Sequence, residues 1–288
     1  NLDRFELFFP EKRQFFLENS DLFASLGNRD IRPFFSRRIG LATPVRGGAR
    51  LSGKLGSHYR LGIMSMQTDA NEETPASNYT VATLQRKILT RSSLSIFLVN
   101  KESDLQENAN GSKNSYNRVG GIDFNLASAD NLWTGKTFFH QAIYKNAGGN
   151  AFAAATSIKY NNGIISAHMG YSFVGTDFQA DVGFVKRTGF HRFGPHLEYK
   201  FYPNKGKILN HGPKFKFDNV LDEDLKTMDR ELELKYIINY INRSKLSAEL
   251  ERGFVKLRAP FDPTNTGGDT LATGSAYNWN EFSVKYES

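Results

Sequence analysis

The sequence predicts an all-β fold: an antiparallel transmembrane β-barrel, an incomplete portion of a larger one, led in by a short N-terminal plug segment. Three observations predict it. About twelve stretches alternate apolar and polar residues with period two, which puts the two classes on opposite sides of a pleated strand. There is no run of about 18 apolar residues, so a helical span is excluded, whereas a spanning strand needs only about 9–11 residues with every second one apolar. Finally, the 288 residues are only 39% hydrophobic, with a negative mean hydropathy. That is low for a chain that hides its apolar faces between sheets, and ordinary for one that turns them outward around a polar interior.

Taken in order, residues 1–35 stand apart, dense in Phe and paired charges and without period two. After Pro10, which suits a first helical turn and is followed by Glu11, a short amphipathic helix or compact loop is expected. This segment reads as a plug or lead-in, with 36–288 forming the strands. Strands are predicted at Ser36–Leu41, Gly48–Leu55, Tyr59–Gln67, Tyr79–Ile88 and around Ser93–Leu98. A long polar loop over Asn100–Asn117 follows, then strands at Arg118–Leu126 and Leu132–Tyr144.

Phe152, Ala154, Thr156, Ile158 and Tyr160 share one strand face; Ile165, Ala167, Met169, Tyr171 and Phe173 share the next. Asn161-Asn162-Gly163 between them is the strongest short hairpin signal and predicts antiparallel neighbours joined by a type I′ turn. From Phe190 to Phe201 the pattern is clearest, with Arg192, His196, Glu198 and Lys200 on one side and Phe193, Leu197, Tyr199 and Phe201 on the other. Asp222–Tyr240 is open to a charged-helix reading, but period two fits better from Arg230 onward. A Gly- and Thr-rich loop over Thr264–Gly274 precedes a last strand through Asn280, Phe282, Val284 and Tyr286. That pattern is still running at Ser288, and Asn1 follows no charged-then-apolar leader, so the strands are expected to continue in a longer chain.

With no cysteine, disulfides, thiolate metal sites and cysteine nucleophiles are excluded. The net charge of +7 and pI near 9.4 come without a concentrated basic run, which argues against nucleic acid and for an anionic membrane surface or a cation-lined pore. Gly48-Ala49-Arg50-Leu51-Ser52-Gly53-Lys54-Leu55 nearly spells a phosphate-binding loop, but Leu55 replaces the required Ser or Thr and strand patterns lie on both sides. The six histidines show no metal-ligand spacing, and His191 and His196 point to opposite faces. No cofactor is expected. Glu249 with Glu251, and Glu231 with Glu233, have the spacing of a hydrolytic carboxylate pair, yet a solvated inner wall gives the same pattern. The most unusual cluster is Glu11, Lys12, Arg13 and Glu18 with Arg37 and Arg38, expected to pair across a lumen and hold the plug while Phe8, Phe9, Phe15 and Phe16 pack against the wall. Tyr144, Tyr160, Phe173, Tyr202 and Trp279 are candidates for interfacial girdles.

In Phe8-Phe9-Pro10-Glu11-Lys12-Arg13-Gln14-Phe15-Phe16-Leu17-Glu18, Phe35-Ser36-Arg37-Arg38-Ile39-Gly40-Leu41 and Gly47-Gly48-Ala49-Arg50-Leu51-Ser52-Gly53-Lys54, the chain resembles a family of Bacteroidota outer-membrane barrel proteins of unknown function, usually preceded by a family 9 type carbohydrate-binding module. The resemblance runs over essentially the whole chain. It implies the outer membrane, contact with its lipid and lipopolysaccharide, an upstream module and further strands, and it carries no catalytic residues. The expected function is therefore non-enzymatic: a porin-like channel, a carbohydrate-uptake accessory, or a scaffold for outer-membrane and surface proteins, with glycans as candidate partners. Two alternatives remain, a secreted glycan-active hydrolase using Glu249 and Glu251 and a soluble β-sandwich carbohydrate-binding module burying Phe193, Leu197 and Tyr199.

Overall fold

The computed structural model describes residues 9–104, 114–264 and 266–288. Two single-turn helices, α1 (Gln14–Leu17) and α2 (Asp21–Ala24), precede the two-residue strand β1 (Ile31–Arg32). Long strands follow: β2 (Val45–Leu55), β3 (Tyr59–Thr68), β4 (Ser77–Ile88), β5 (Ser92–Asp104), β6 (Asn114–Ala127), β7 (Trp133–Tyr144), β8 (Phe152–Asn161) and β9 (Ile165–Val174). Short β10 (Phe184–Val185), β11 (Phe190–Phe193) and β12 (His196–Tyr199) lead into β13 (Ile208–Leu221), β14 (Thr227–Tyr240), β15 (Lys245–Lys256) and β16 (Ala276–Glu287).

Among the described residues, fourteen strands form one antiparallel meander from β2 to β16, in which β11 and β12 share a single place between β9 and β13. The remaining pair, β1 with β10, forms a separate two-stranded sheet. β2 and β16 are the two ends of the pairing order, each with one neighbour among the described residues.

The period-two faces sort as the alternation requires. On the inner face, against which the N-terminal segment packs, Met64, Met66, Tyr79, Val81, Phe97, Val99, Val119 and Phe138 are buried. Leu22, Phe23, Leu26, Ile31, Phe34 and Ile39 of the N-terminal segment join them in one core. The β9–β11 connection also turns inward, adding Phe178, Val182 and Phe184. Burying each such side chain stabilises by about 1.5–3 kcal/mol, so this segment is part of the core.

The outer face is apolar and open. Leu61, Leu84, Ile96, Ile122 and Phe139 lie opposite one another across five successive strands. A second row runs Leu197, Phe215, Leu234, Leu250 and Phe282. Ile96, Ile122, Phe139, Leu197, Leu234, Leu250 and Phe282 are all about half exposed or more.

Local departures from the sequence expectations have physical causes. Ser36–Arg38 is a 3₁₀ turn, and the first long strand begins at Val45, so the lead-in extends beyond residue 35. Adjacent Arg37 and Arg38 break the alternation there, and their guanidinium groups reach different backbone carbonyls. The Phe190–Phe201 stretch is interrupted at Gly194-Pro195, because proline has no N–H for the ladder, although its carbonyl still accepts from Phe217 N–H. The β8–β9 hairpin forms as expected, but only Gly163 has positive φ. A type I′ turn is therefore absent, and Asn162 Oδ1 instead accepts from the N–H groups of Ile164 and Ile165. The expected Asn100–Asn117 loop is shorter than its polarity suggested, since β5 runs to Asp104 and β6 starts at Asn114, while 105–113 fall outside the described residues. Thr227–Tyr240 is a strand throughout.

Candidate functional site

The inner face has two halves. Over β2–β7 it meets the N-terminal segment, and from β8 to β16 it presents a wall of charged and polar side chains. The two halves meet at the 25–30 turn of that segment.

The contact is fastened by a buried polar node. Asp123, flanked on β6 by outward-facing Ile122 and Phe124, is 1% exposed and accepts from Gly27 N–H at 2.7 Å, with His140 Nε2 at 2.7 Å and Lys136 Nζ at 3.1 Å. Lys136 also donates to the Ser25 carbonyl. His140 is fully buried, stacked on Phe138 and edge-on to Phe97, so its orientation is fixed by both rings. Other anchors are Arg60 with Asp21 at 2.5 Å, Asn19 with Ser52, Arg50 with the Phe15 carbonyl, and Arg192 with Asp30 at 2.9 Å.

The predicted plug cluster is only partly assembled. Glu11 and Arg13 pair at 2.7 Å, Glu11 accepts from Ser36 Oγ, and Arg13 donates to the carbonyls of Ser36 and Ile39 while lying over the Phe16 ring. Burial of the Glu11 carboxyl opposes ionisation. Hydrogen bonds from the Arg13 side chain and backbone, Ser36 and the Lys12 amide outweigh it, holding the pKa down at about 2 against an ordinary 4.5. Arg37 reaches the Pro10 carbonyl and lies over Phe9, and Arg38 reaches the Gly183 carbonyl. Lys12 and Glu18 are exposed, and Phe8 lies outside the described residues. The cluster therefore ties the lead-in to itself and to the β9–β11 connection.

Across β8–β16 the strand register lines charges into rows. One row runs Lys159, His168, His196, Lys216, Glu233, Glu251 and Glu281, basic at one end and acidic at the other. The next runs Ser166, Glu198, Lys214, Lys235, Glu249 and Ser283. Ion pairs knit the rows together: Lys214 with Glu233 at 2.9 Å, Lys216 with both Glu231 and Glu233, and Lys235 with Glu249 at 2.6 Å. Arg192 is gripped by Asp218 through Nε and Nη2, and Arg187 pairs with Asp229.

Two clefts open along this face, both touching the Asp30 turn. One, of about 370 Å³, lies over His168, Arg192, His196 and Lys216; the other, of about 280 Å³, runs from Arg192 and Asp218 to Trp279. Both are close to the lower end of the ligand-pocket range of about 300–1,000 Å³.

Of the acidic pairs read from spacing, Glu249 is held by Lys235 and Glu251 accepts from Trp279 Nε1 at 3.2 Å, while Glu231 and Glu233 belong to the lysine ladder. His191 faces outward to the Tyr171 hydroxyl, and His196 faces inward. Among the described residues no group of three or more potential ligands is placed to hold a metal. Gly48–Lys54 lies within β2, paired along β3. Of the girdle candidates, Tyr160 meets Trp133 at a tilt on the outer face near the Gly163 turn, where the Tyr202 hydroxyl donates to the Gly163 carbonyl. Tyr144 instead packs toward the core with its hydroxyl on the Asp177 carbonyl, and Trp279 lies on the inner face.

Sequence reasoning missed Asp123, His140, Asp30 and the inward turn of Trp279. A weak signal existed for His140, which shares its strand face with Phe138 and Ala142, where an ionisable group needs a partner; Asp123, between Gly121 and Asn125 on its face, gave none. No protein-family model matches the chain, and no curated protein matches it.

Proposed function

We propose that this chain forms wall and plug of a non-enzymatic β-barrel in the bacterial outer membrane, and that the charged inner face of β8–β16 lines a route for polar solutes. One observation carries the reading: the same strands are apolar and open outward, and charged and ion-paired inward. A soluble sandwich has the reverse need, since rows such as Leu197-Phe215-Leu234-Leu250-Phe282, on the strands whose inner side is charged, would require a covering layer. The long strands have 10–14 residues, enough for the roughly 9–11 that a tilted span needs. An unpaired strand edge is costly in hydrocarbon, so the reading includes further strands joining β16 to β2. The resemblance of the opening motifs supports the outer membrane of Bacteroidota, with lipid and lipopolysaccharide against the outer face.

The opposed ends of the Lys159–Glu281 row set a field across the route, which favours dipolar and polar solutes over apolar ones. The test is reconstitution of the purified full-length protein in planar bilayers, with liposome swelling in parallel. Stepwise conductance and swelling with small polar solutes are expected. Partition of the detergent-free protein into the aqueous phase, or bilayers that stay silent, would overturn the reading.

A further inference from the structure

We propose that Trp279 is a stacking platform for a sugar ring, and that the cleft beside it binds an uncharged oligosaccharide. The inference deepens the solute route proposed above and rests on it only for how the sugar arrives.

Trp279 stands on the inner face of β16, directly opposite Gly253 of β15. A Cβ at position 253 would lie 2.0 Å from indole atoms Cε2 and Cζ2, so the six-membered ring occupies the space that any other side chain would fill. Glycine thus lets the indole lie down against the wall. Nε1 donates to Glu251 Oε1 at 3.2 Å, which fixes the ring about its long axis, and 41% of the residue remains exposed. Tyr277, two residues earlier, shares the inner face and is 39% exposed.

The indole offers a large flat apolar surface, partly exposed, in a cleft where apolar groups such as Phe254 and Val255 are outnumbered by charged ones such as Arg192, Asp218 and Glu231. An ordinary hydrocarbon ligand would cover it but would strip water from the surrounding charges, which is costly. A pyranose fits both demands, because its ring C–H groups form an apolar patch and its rim carries hydroxyls that donate and accept.

The charge of the cleft narrows the class further. Four acids line it, among them Asp218 and Glu231, against four bases, among them Arg187 and Arg192, so its formal charges cancel. An ion gains no net attraction there, yet the paired groups keep donors and acceptors in fixed positions. Asp218 holds Arg192 through two bonds at 2.8 and 2.6 Å, and Asp30 holds its other amine at 2.9 Å. Such charge-paired planar groups hydrogen-bond hydroxyls without having to be ordered on binding.

The chain has two tryptophans, so Trp133→Phe makes Trp279 the sole indole fluorophore. This variant in detergent micelles is titrated with maltopentaose, cellopentaose and xylopentaose. A saturable emission change with at least one of them is expected, unaltered by added salt because the ligand is neutral. Gly253→Val, which displaces the indole, and Trp279→Leu, followed by calorimetry, should each weaken binding at least about tenfold. Trp279→Phe should retain part of it, and unchanged circular dichroism certifies that each variant is folded. No saturable response to any of the three sugars, binding undiminished in Gly253→Val, or tighter binding of an oligogalacturonate than of the neutral sugars would overturn the inference. Conductance of the same preparation separates the two readings. A conducting protein that ignores sugars loses the platform and keeps the route, whereas a silent protein that binds them loses the route and keeps the platform.

Discussion

At the scale of the residue, the firmest constraint lies in Asp123. Its carboxylate is almost fully enclosed, and an imidazole, an ammonium and a backbone N–H converge on it. Removing one member of a buried charged set leaves the others without compensation, which typically costs about 3–5 kcal/mol. Asp123→Asn should therefore loosen the 25–30 turn from the wall, read as faster trypsin cleavage after Arg29 in the detergent-solubilised protein. Unchanged cleavage would mean that the apolar core alone fixes the turn. Glu11 gives the residue-scale pH dependence. Its folded pKa of about 2 lies below the unfolded 4.5, so the carboxylate stabilises fully above 4.5 and this contribution is lost as pH falls toward 2. Hydrogen exchange at the Arg38 and Ile39 amides should accelerate across that interval beyond its intrinsic pH trend. Glu11→Gln should show the loosened state at neutral pH and lose the acid-dependent step.

At the scale of the element, the long strands were legible because a period of two survives almost any tertiary context, and from Phe190 to Tyr199 it even assigned Arg192, His196 and Glu198 to the correct face. What the alternation does not encode is what covers each face. Met64, Val81 and Val99 on one side and Ile96, Ile122 and Phe139 on the other are equally apolar, yet only the first set is buried. The inward fold of the β9–β11 connection was equally hidden, since Phe178, Val182 and Phe184 follow no period. For the site, the ladder of Lys214, Lys216, Glu231, Glu233 and Glu249 was visible as polar faces, but pairing needs register, which single strands do not reveal. Trp279 was misplaced for a different reason: alternation alone puts it on the face opposite Phe282 and Val284, but an aromatic residue near a strand end resembles a girdle until the room left by Gly253 across the ladder is seen. If the outer rows do meet hydrocarbon, an arginine there is costly by about 2–4 kcal/mol at mid-depth. Ile122→Arg should accordingly reduce the heat-modifiable, folded fraction in lipid vesicles, while Leu126→Arg, on the same face near the end of β6, should do so less. Equal folding of Ile122→Arg and the parent in lipid would argue for a watery outer face.

At the scale of the whole molecule, the question is whether the N-terminal segment is a removable cork or part of the core. Phe23 decides it. Its ring lies against Gly62 so closely that a Cβ there would stand 2.7 Å from Cζ, it meets Phe34 at 6.1 Å, and the Arg50 guanidinium covers it at 5.1 Å. Leu22, Leu26, Ile31 and Ile39 are as deeply enclosed, all 2% exposed or less, and their partners on β3–β7 are apolar inner-face residues that would otherwise meet water. A cork released to open a pore would leave that surface bare, whereas a core segment stays and would leave the proposed route only the polar half of the inner face, over β8–β16. Phe23→Ala tests the choice, since emptying such a site typically costs about 3–5 kcal/mol. The expected result is a lowered thermal or denaturant midpoint with single-channel conductance unchanged, because the route does not pass beneath Phe23. A cork would behave oppositely, with stability held and conductance rising as the loosened segment swings out. Neutralising the proposed route itself, by Lys216→Gln, should instead alter ion selectivity and leave the midpoint far less affected, because Glu231 is partly hydrated and buried Glu233 keeps its pair with Lys214.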